Sequence, residues 1–368
     1  MKCATTVWVI LAVTTLFLLP DLALTANEEK ILNLYTWADY VPKGVIAEFE
    51  REYGIKVNYD TYDNDNILSS KLLAGSSGYD LVGIADEDLQ RLMPVGVFRK
   101  LDKSKLPNLK NMNPEIMRRM AFSDPGNEHV FVYTWGSTGI AYNVDLINER
   151  LPDATLDSAA MIFDPDIIRY FADCGVVFVD DPGTTIRLAL LYLGYDINDT
   201  RQESFDEAER LLKAVRPYIR YFSGSLTQID MAAEEICLAI MWSGDYSYSN
   251  RIAEAAGKSL NLAYFVPKEG TNIWIDTFAM PADLPHPENA HLFLNFMMRP
   301  KIAAQSSNFN QYPVGNLGAL EFIEPGTRNN PAIFPPPEVL ARMHTRTAHD
   351  METKRRVNRI WARLKAGF

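Results

Sequence analysis

Histidine and cysteine are scarce in this chain, and its basic residues are outnumbered. Only five histidines and three cysteines stand among 368 residues. His129, His286, His291, His344 and His349 form no pair at helical zinc-binding spacing, and neither HExxH nor CxxC occurs, so neither a metal nor a cofactor is expected. There is no G-x-S-x-G elbow, and Gly75-Ser-Ser-Gly78 lacks the lysine of a phosphate-binding loop. These absences leave only Asp/Glu pairs as possible catalytic groups, and the chain is not read as an enzyme. Lys and Arg number 36 against 47 Asp and Glu, a net charge of −11. Nucleic acid, whose binding needs phosphate neutralisation, is disfavoured, whereas a cationic ligand is compatible. No apolar run reaches the ~20 residues of a membrane-spanning helix. Repeats and low-complexity tracts are absent. The remaining composition, 47% hydrophobic and 23% charged, is that of a folded protein. At about 150 residues per domain the length suggests two domains.

The N-terminus does carry one short apolar run. Met1-Lys2 precedes Val7 to Leu19, which Pro20 and Asp21 end, and small residues follow up to Ala26. A basic start, an apolar stretch of about a dozen residues and a small-residue site describe a secretory signal peptide, here 1–26, rather than a membrane anchor. Cys3 lies too early to be a lipid-attachment cysteine. After cleavage Cys174 and Cys237 are the remaining cysteines. In an oxidising compartment they are a disulfide candidate, with two buried thiols as the alternative.

The mature chain opens with alternating Ile31-Leu-Asn-Leu-Tyr35, a strand pattern. Helical spacing of Val45, Ile46, Phe49 and Tyr53 runs from Pro42 to Gly54. A second strand pattern, Ile55 to Tyr59, a helix from Ile67 to Ala74 and a short strand from Tyr79 to Ile84 follow. Strands and helices alternating within about 55 residues indicate βαβ units and an α/β fold with a largely parallel sheet. Phe205 to Val215 and Asn289 to Met298 read as helices, and Ile236 to Trp242 as a strand covered on both faces. Thr353 to Lys365 is basic and amphipathic, predicting a terminal helix docked on the body rather than on a membrane. Glu324-Pro-Gly326 and Pro335-Pro-Pro337 read as crossing segments or loops.

Tryptophan supplies the strongest signal. Three of the six precede an aspartate by two or three residues: Trp37-Ala-Asp39-Tyr40, Trp242-Ser-Gly-Asp245 and Trp274-Ile-Asp276. Each pairing alone is compatible with a core indole beside a turn or cap aspartate, but three together suggest a shared site. Carboxylates offset the desolvation of an ammonium group through charge-assisted hydrogen bonds. Aromatic faces wall a methylene stem and attract the cation. An anion site would want arginines, and none adjoins these motifs except Arg251.

With Tyr35-Thr-Trp-Ala-Asp-Tyr40, Lys71-Leu-Leu-Ala-Gly-Ser-Ser-Gly-Tyr-Asp-Leu-Val82, Ser137-Thr-Gly-Ile-Ala-Tyr-Asn-Val144, Arg216-Pro-Tyr-Ile-Arg-Tyr-Phe222 and Phe278-Ala-Met-Pro-Ala-Asp283, the chain from about Leu32 onward resembles the periplasmic polyamine-binding proteins of bacterial ABC transporters, especially the putrescine-binding branch. The resemblance implies a two-lobed periplasmic-binding-protein fold of type II. Its ligand cleft would lie between lobes joined by crossing strands. The first lobe would comprise 27–134 plus about 252–315, and the second 135–251 plus about 316–368. Trp37, Trp242 and Trp274 would wall the ligand stem, Asp39, Asp245 and Asp276 would hold ammonium groups, and Tyr40 and Tyr312 would line the site. Cys174 and Cys237 align with a disulfide pair. Function follows as capture of putrescine or spermidine in the periplasm and delivery to an inner-membrane ABC permease; the alternative is signalling to a membrane sensor. A monomer with no stable membrane insertion is expected.

Departures from the branch bear on ligand length. Ala38 and Ala85 replace serines, and Thr184 replaces a glutamate that contacts the far amine. Asp181 replaces a small residue, and Asp86-Glu87-Asp88 replaces a neutral stretch at the cleft edge. With one acid lost and Glu87 and Asp181 gained, a triamine becomes a candidate ligand beside a diamine.

Overall fold

Alternating burial builds the first strand, β1 (Ile31–Trp37), in the computed structural model, which describes residues 28–62, 65–152, 156–224 and 226–367. The expected signal peptide, 1–26, lies outside the described residues. After Pro42 the helix Lys43–Tyr53 buries Val45 and Phe49, and Gly54 ends it at φ 63°, donating its N–H to the Glu50 carbonyl. That left-handed position suits glycine, which has no Cβ to clash. β2 (Lys56–Tyr62) pairs parallel to β1. After the helix Asp65–Ala74, β3 (Leu81–Ala85) pairs parallel on the other side of β1. The βαβαβ order expected from the spacing is therefore present.

The remaining strands are β4 (Phe98–Arg99), β5 (Val130–Asn143), β6 (Val176–Phe178), β7 (Ile219–Phe222), β8 (Leu238–Trp242), β9 (Leu262–Phe265), β10 (Thr271–Pro281) and β11 (Met343–Thr345). They join in the order β2-β1-β3-β10-β5-β8-β6-β7, with β4 and β11 on β10 and β9 on β5. β5 is buried along all 14 residues, as a strand covered on both faces must be. Its first half pairs antiparallel with β10, from Ala279↔Val130 to Ile273↔Ser137. Its second half pairs antiparallel with β8 and β9, from Thr138↔Trp242 to Asn143↔Leu262.

Two principal apolar cores lie on either side of this crossing. One gathers Leu34, Phe49, Ile84, Tyr133 and Phe278; the other gathers Ile140, Phe163, Phe178, Phe205 and Leu238. The architecture is thus a two-lobed α/β fold. In the second lobe a disulfide joins Cys174 to Cys237, with Cα atoms 5.5 Å apart.

The C-terminal helix Met351–Ala366 is capped by Asp350 and buries Val357, Ile360, Trp361 and Leu364 in the second core. The body therefore takes up its apolar face. Two expectations need correction. Helix Gln202–Val215 starts three residues before Phe205, because its first turn is polar and escapes an apolar pattern. The proline clusters are not simply loops: Pro325–Arg328 and Pro337–Leu340 are single helical turns, where proline at the first position sacrifices no hydrogen bond. Among the described residues no helix is long and apolar enough to cross a membrane.

Candidate functional site

β10 presents Trp274 and Asp276 on one face, because side chains two apart on a strand point the same way. Opposite them on β5 stand Gly136 and Thr134. A Cβ at Gly136 would lie 2.2 Å from Trp274 Cζ2, so only glycine lets the indole lie against β5. Tyr40, from the loop after β1, donates its hydroxyl to Asp276 Oδ2 at 2.5 Å and also hydrogen-bonds Thr134 Oγ1. Burial strips water from Asp276. The Tyr40 hydrogen bond favours its charged form, while the charges of Asp86 and Asp65 oppose it. The net result pushes the carboxyl up to about 7.

The helix Ser243–Ala255 starts directly after β8 and carries Asp245 in its first turn. Tyr312 donates to Asp245 Oδ1 at 2.7 Å. The Tyr312 ring stands edge-on to Trp274, with centroids 4.9 Å apart at 86°. Gly244 makes room for it, since a Cβ there would lie 2.3 Å from Tyr312 Cε1. Burial pushes Asp245 up to about 6, against the Tyr312 hydrogen bond, which favours ionisation. Neither Asp245 nor Asp276 has a lysine or arginine ion-pair partner among the described residues; each is met by a tyrosine hydroxyl.

Tyr40, Asp276, Trp274, Tyr312 and Asp245 therefore form one continuous arrangement. Two desolvated carboxylates adjoin one indole, Asp276 along its strand and Asp245 through Tyr312, and among the described residues no lysine or arginine pairs with either. Such a frame can hold an elongated cation with an ammonium at each end and apolar carbon between. Trp37, at the end of β1, joins it edge-on to Tyr40 at 5.0 Å and donates Nε1–H to Asp65 at 3.3 Å. Trp242, half-buried, is the residue from which the Asp245 helix springs.

Other sequence candidates sit differently. Asp39 is exposed at φ 51° in the turn after β1, outside this chain of contacts. Asp181 caps the helix Pro182–Tyr192, accepting from the Thr184 backbone N–H at 3.1 Å and hydroxyl at 2.7 Å. Thr184 is buried beneath that cap. Glu87 is not a free acceptor. Arg187 holds both its oxygens at 3.2 Å, and Arg346 approaches at 3.4 Å. Burial opposes its ionisation, but the two guanidinium groups outweigh that and hold the carboxyl at about 2.

Sequence reasoning missed Asp65 and Arg346 and read Asp86 only within the run Asp86-Glu87-Asp88. Asp86 is buried and paired with Arg346 at 3.1 Å. Asp65 accepts the Trp37 indole N–H at 3.3 Å, and burial raises its carboxyl. Asp86 was visible only as part of an acidic run, and no local motif marks Arg346. Among the described residues no three His, Cys, Asp or Glu side chains gather as a metal site.

Comparison with known proteins gives a consistent picture. The profile of the family described as bacterial extracellular solute-binding protein matches residues 44–335. The putrescine-binding periplasmic protein SpuD of Pseudomonas aeruginosa is 40% identical over 343 residues, covering 93% of this chain and 94% of its own. The putrescine-binding periplasmic protein PotF of Escherichia coli is 40% identical over 344 residues, 93% of each chain. Among solved structures, a chain assigned to a spermidine/putrescine ABC transporter of Listeria monocytogenes superposes with a TM-score of 0.80 at 27% identity, covering 92% of this chain and 99% of that one.

Proposed function

The chain belongs to the bacterial extracellular solute-binding protein family, within its putrescine-binding branch, and from that premise we propose that it captures a diamine of the putrescine class in the periplasm and delivers it to an ABC permease. The observation that carries the diamine reading is the pair Asp245 and Asp276. Both are desolvated and, among the described residues, have no lysine or arginine ion-pair partner; Asp276 shares a strand face with Trp274, and Tyr312 links Asp245 to the same indole. A diammonium ligand supplies the two missing charges, and its methylene stem covers the indole. Family membership supports receptor rather than enzyme action. Export through a signal peptide at 1–26 and action as a monomer complete the proposal.

The structure around Glu87 and Asp181 argues against a third ammonium. Glu87 is neutralised by two arginines, and both Asp181 oxygens accept from its own helix. Asp39, exposed at the cleft rim, is proposed to meet ligand only on closure. Closure would bring together a first lobe built on β1–β3 and β10 and a second built on β6–β9, with β5 crossing between them. The lobe boundary falls near 266 rather than 252 in this proposal, because β9 pairs with the second half of β5. Titration calorimetry of the mature protein with putrescine and spermidine tests the reading. One-to-one binding of putrescine, at least as tight as spermidine, is expected. Absence of heat with putrescine, or spermidine tighter by tenfold or more, refutes it.

A further inference from the structure

We propose that Arg346 determines ligand length: its guanidinium occupies, on Asp86, the charge position that the extra ammonium of a triamine would need. The inference rests on the diamine reading above and extends it to a residue outside the Trp-Asp frame. Arg346 directly follows β11 and is 7% exposed. Its guanidinium meets Asp86 Oδ1 at 3.1 Å and Glu87 Oε2 at 3.4 Å. Asp86 is 1% exposed and directly follows Ala85, the register partner of Asp276. Asp86 Oδ1 also accepts from the Ile275 N–H at 3.5 Å, so the Arg346–Asp86 pair adjoins β10 at the residue preceding Asp276.

Electrostatics place the same groups within reach of one another. Burial disfavours the Arg346 charge, but Asp86, Glu87 and Asp181 together hold it protonated. In turn Arg346 favours the charged forms of Asp276 and Asp65. Its field thus covers the acids at this end of the cleft. Asp86 Oδ2 is buried with no hydrogen-bond partner, so one acceptor position there is empty although the charge is already balanced. A diamine ending at Asp276 needs nothing from this cluster. A third ammonium would meet a like charge, because Asp86 and Glu87 are already paired with Arg346 and Arg187. Arg187 already holds Glu87, so Asp86 and Glu87 are matched by two guanidinium groups; buried charge without a partner is strongly unfavourable, and a ligand cation can join the cluster only in place of Arg346.

Two substitutions of opposite sign test this. Arg346→Gln removes the cation on Asp86 while Arg187 stays on Glu87, so the ratio of spermidine to putrescine affinity should rise at least tenfold over wild type. Asp86→Asn keeps Arg346, paired through Glu87, with less acid to balance it, so the same ratio should fall at least threefold. Circular dichroism checks folding, and calorimetry reads both ligands on each protein. If Arg346→Gln does not fold, Asp86→Asn decides alone. A ratio within twofold of wild type in every folded variant, or a change of the opposite sign, overturns the role of Arg346. Failure of wild type to bind putrescine would instead overturn the diamine reading, so the two failures are distinguishable.

Discussion

Replacing Asp276 with asparagine separates the charge of the cleft from its shape. The side chain keeps its size, and Tyr40 retains an oxygen to donate to. The ammonium of a bound diamine, however, loses its counter-charge. Removing one partner of a desolvated charge pair costs about 2–5 kcal/mol, which is about 30- to 4,000-fold in affinity. The size of the loss depends on pH in a way the structure specifies. Burial pushes the Asp276 carboxyl up to about 7. At pH 8 the free wild-type protein is then about 90% ionised at this position and binds without losing a proton. At pH 6 it is about 90% protonated and must release that proton, which weakens it about tenfold. The variant has no proton to release there, so the gap between the two proteins should shrink about tenfold from pH 8 to pH 6.

Stability should move the other way. A carboxyl whose folded-state pKa lies above its unfolded value subtracts stability as pH rises from about 4 to 7, because the folded state binds more protons than the unfolded state over that window. Asp276→Asn removes the subtraction, so the ligand-free variant should melt at or above the wild-type temperature at pH 8. Calorimetry with putrescine at both pH values and a thermal melt measure all three quantities. Affinity within threefold of wild type at pH 8, or a gap that does not narrow at pH 6, would refute the assignment.

Gly136→Ala should displace Trp274, since the added Cβ falls 2.2 Å from its ring; putrescine affinity should drop at least tenfold and indole fluorescence should shift, and unchanged values would contradict the packing argument. Asp181→Ala removes a helix cap and should lower stability by about 0.5–2 kcal/mol. Because Asp181 also helps hold the Arg346 charge, the spermidine-to-putrescine affinity ratio should fall by no more than in Asp86→Asn, and a larger selective loss of spermidine would return Asp181 to the ligand. Denaturing the exported protein without reductant should expose no thiol, because Cys174 and Cys237 are joined across 63 residues. Reduction should cost about 4 kcal/mol by loop-closure entropy, and two titratable thiols before reduction would refute the bond.

What was legible in the sequence followed from periodicity and scarcity. Strand alternation and the Gly54 stop mark the βαβαβ start because burial and left-handed backbone leave local traces. Asp245, Trp274 and Asp276 stood out because tryptophan is rare and each aspartate lies close in sequence. Arg346 and Asp65 did not, because their roles come from contacts with residues 260 and 28 positions away, and distant pairing leaves no local pattern. Glu87 reads in the sequence as an acceptor at a cleft edge for the same reason: the arginines that pair with it come from positions 187 and 346. Asp181 before Pro182 carries the ordinary signature of a helix cap, and that local reading describes its geometry.

The central claim is that two water-stripped carboxylates await a dication. Proton release on binding tests it most directly. With Asp276 at about 7 and Asp245 at about 6, the free protein at pH 6.5 carries about one proton shared between them, and an ammonium at each must expel it. Calorimetry of putrescine binding in two buffers of different ionisation enthalpy should show about one proton released at pH 6.5, falling toward zero at pH 8. Binding with no proton exchange at pH 6.5, or with proton uptake, would contradict the account.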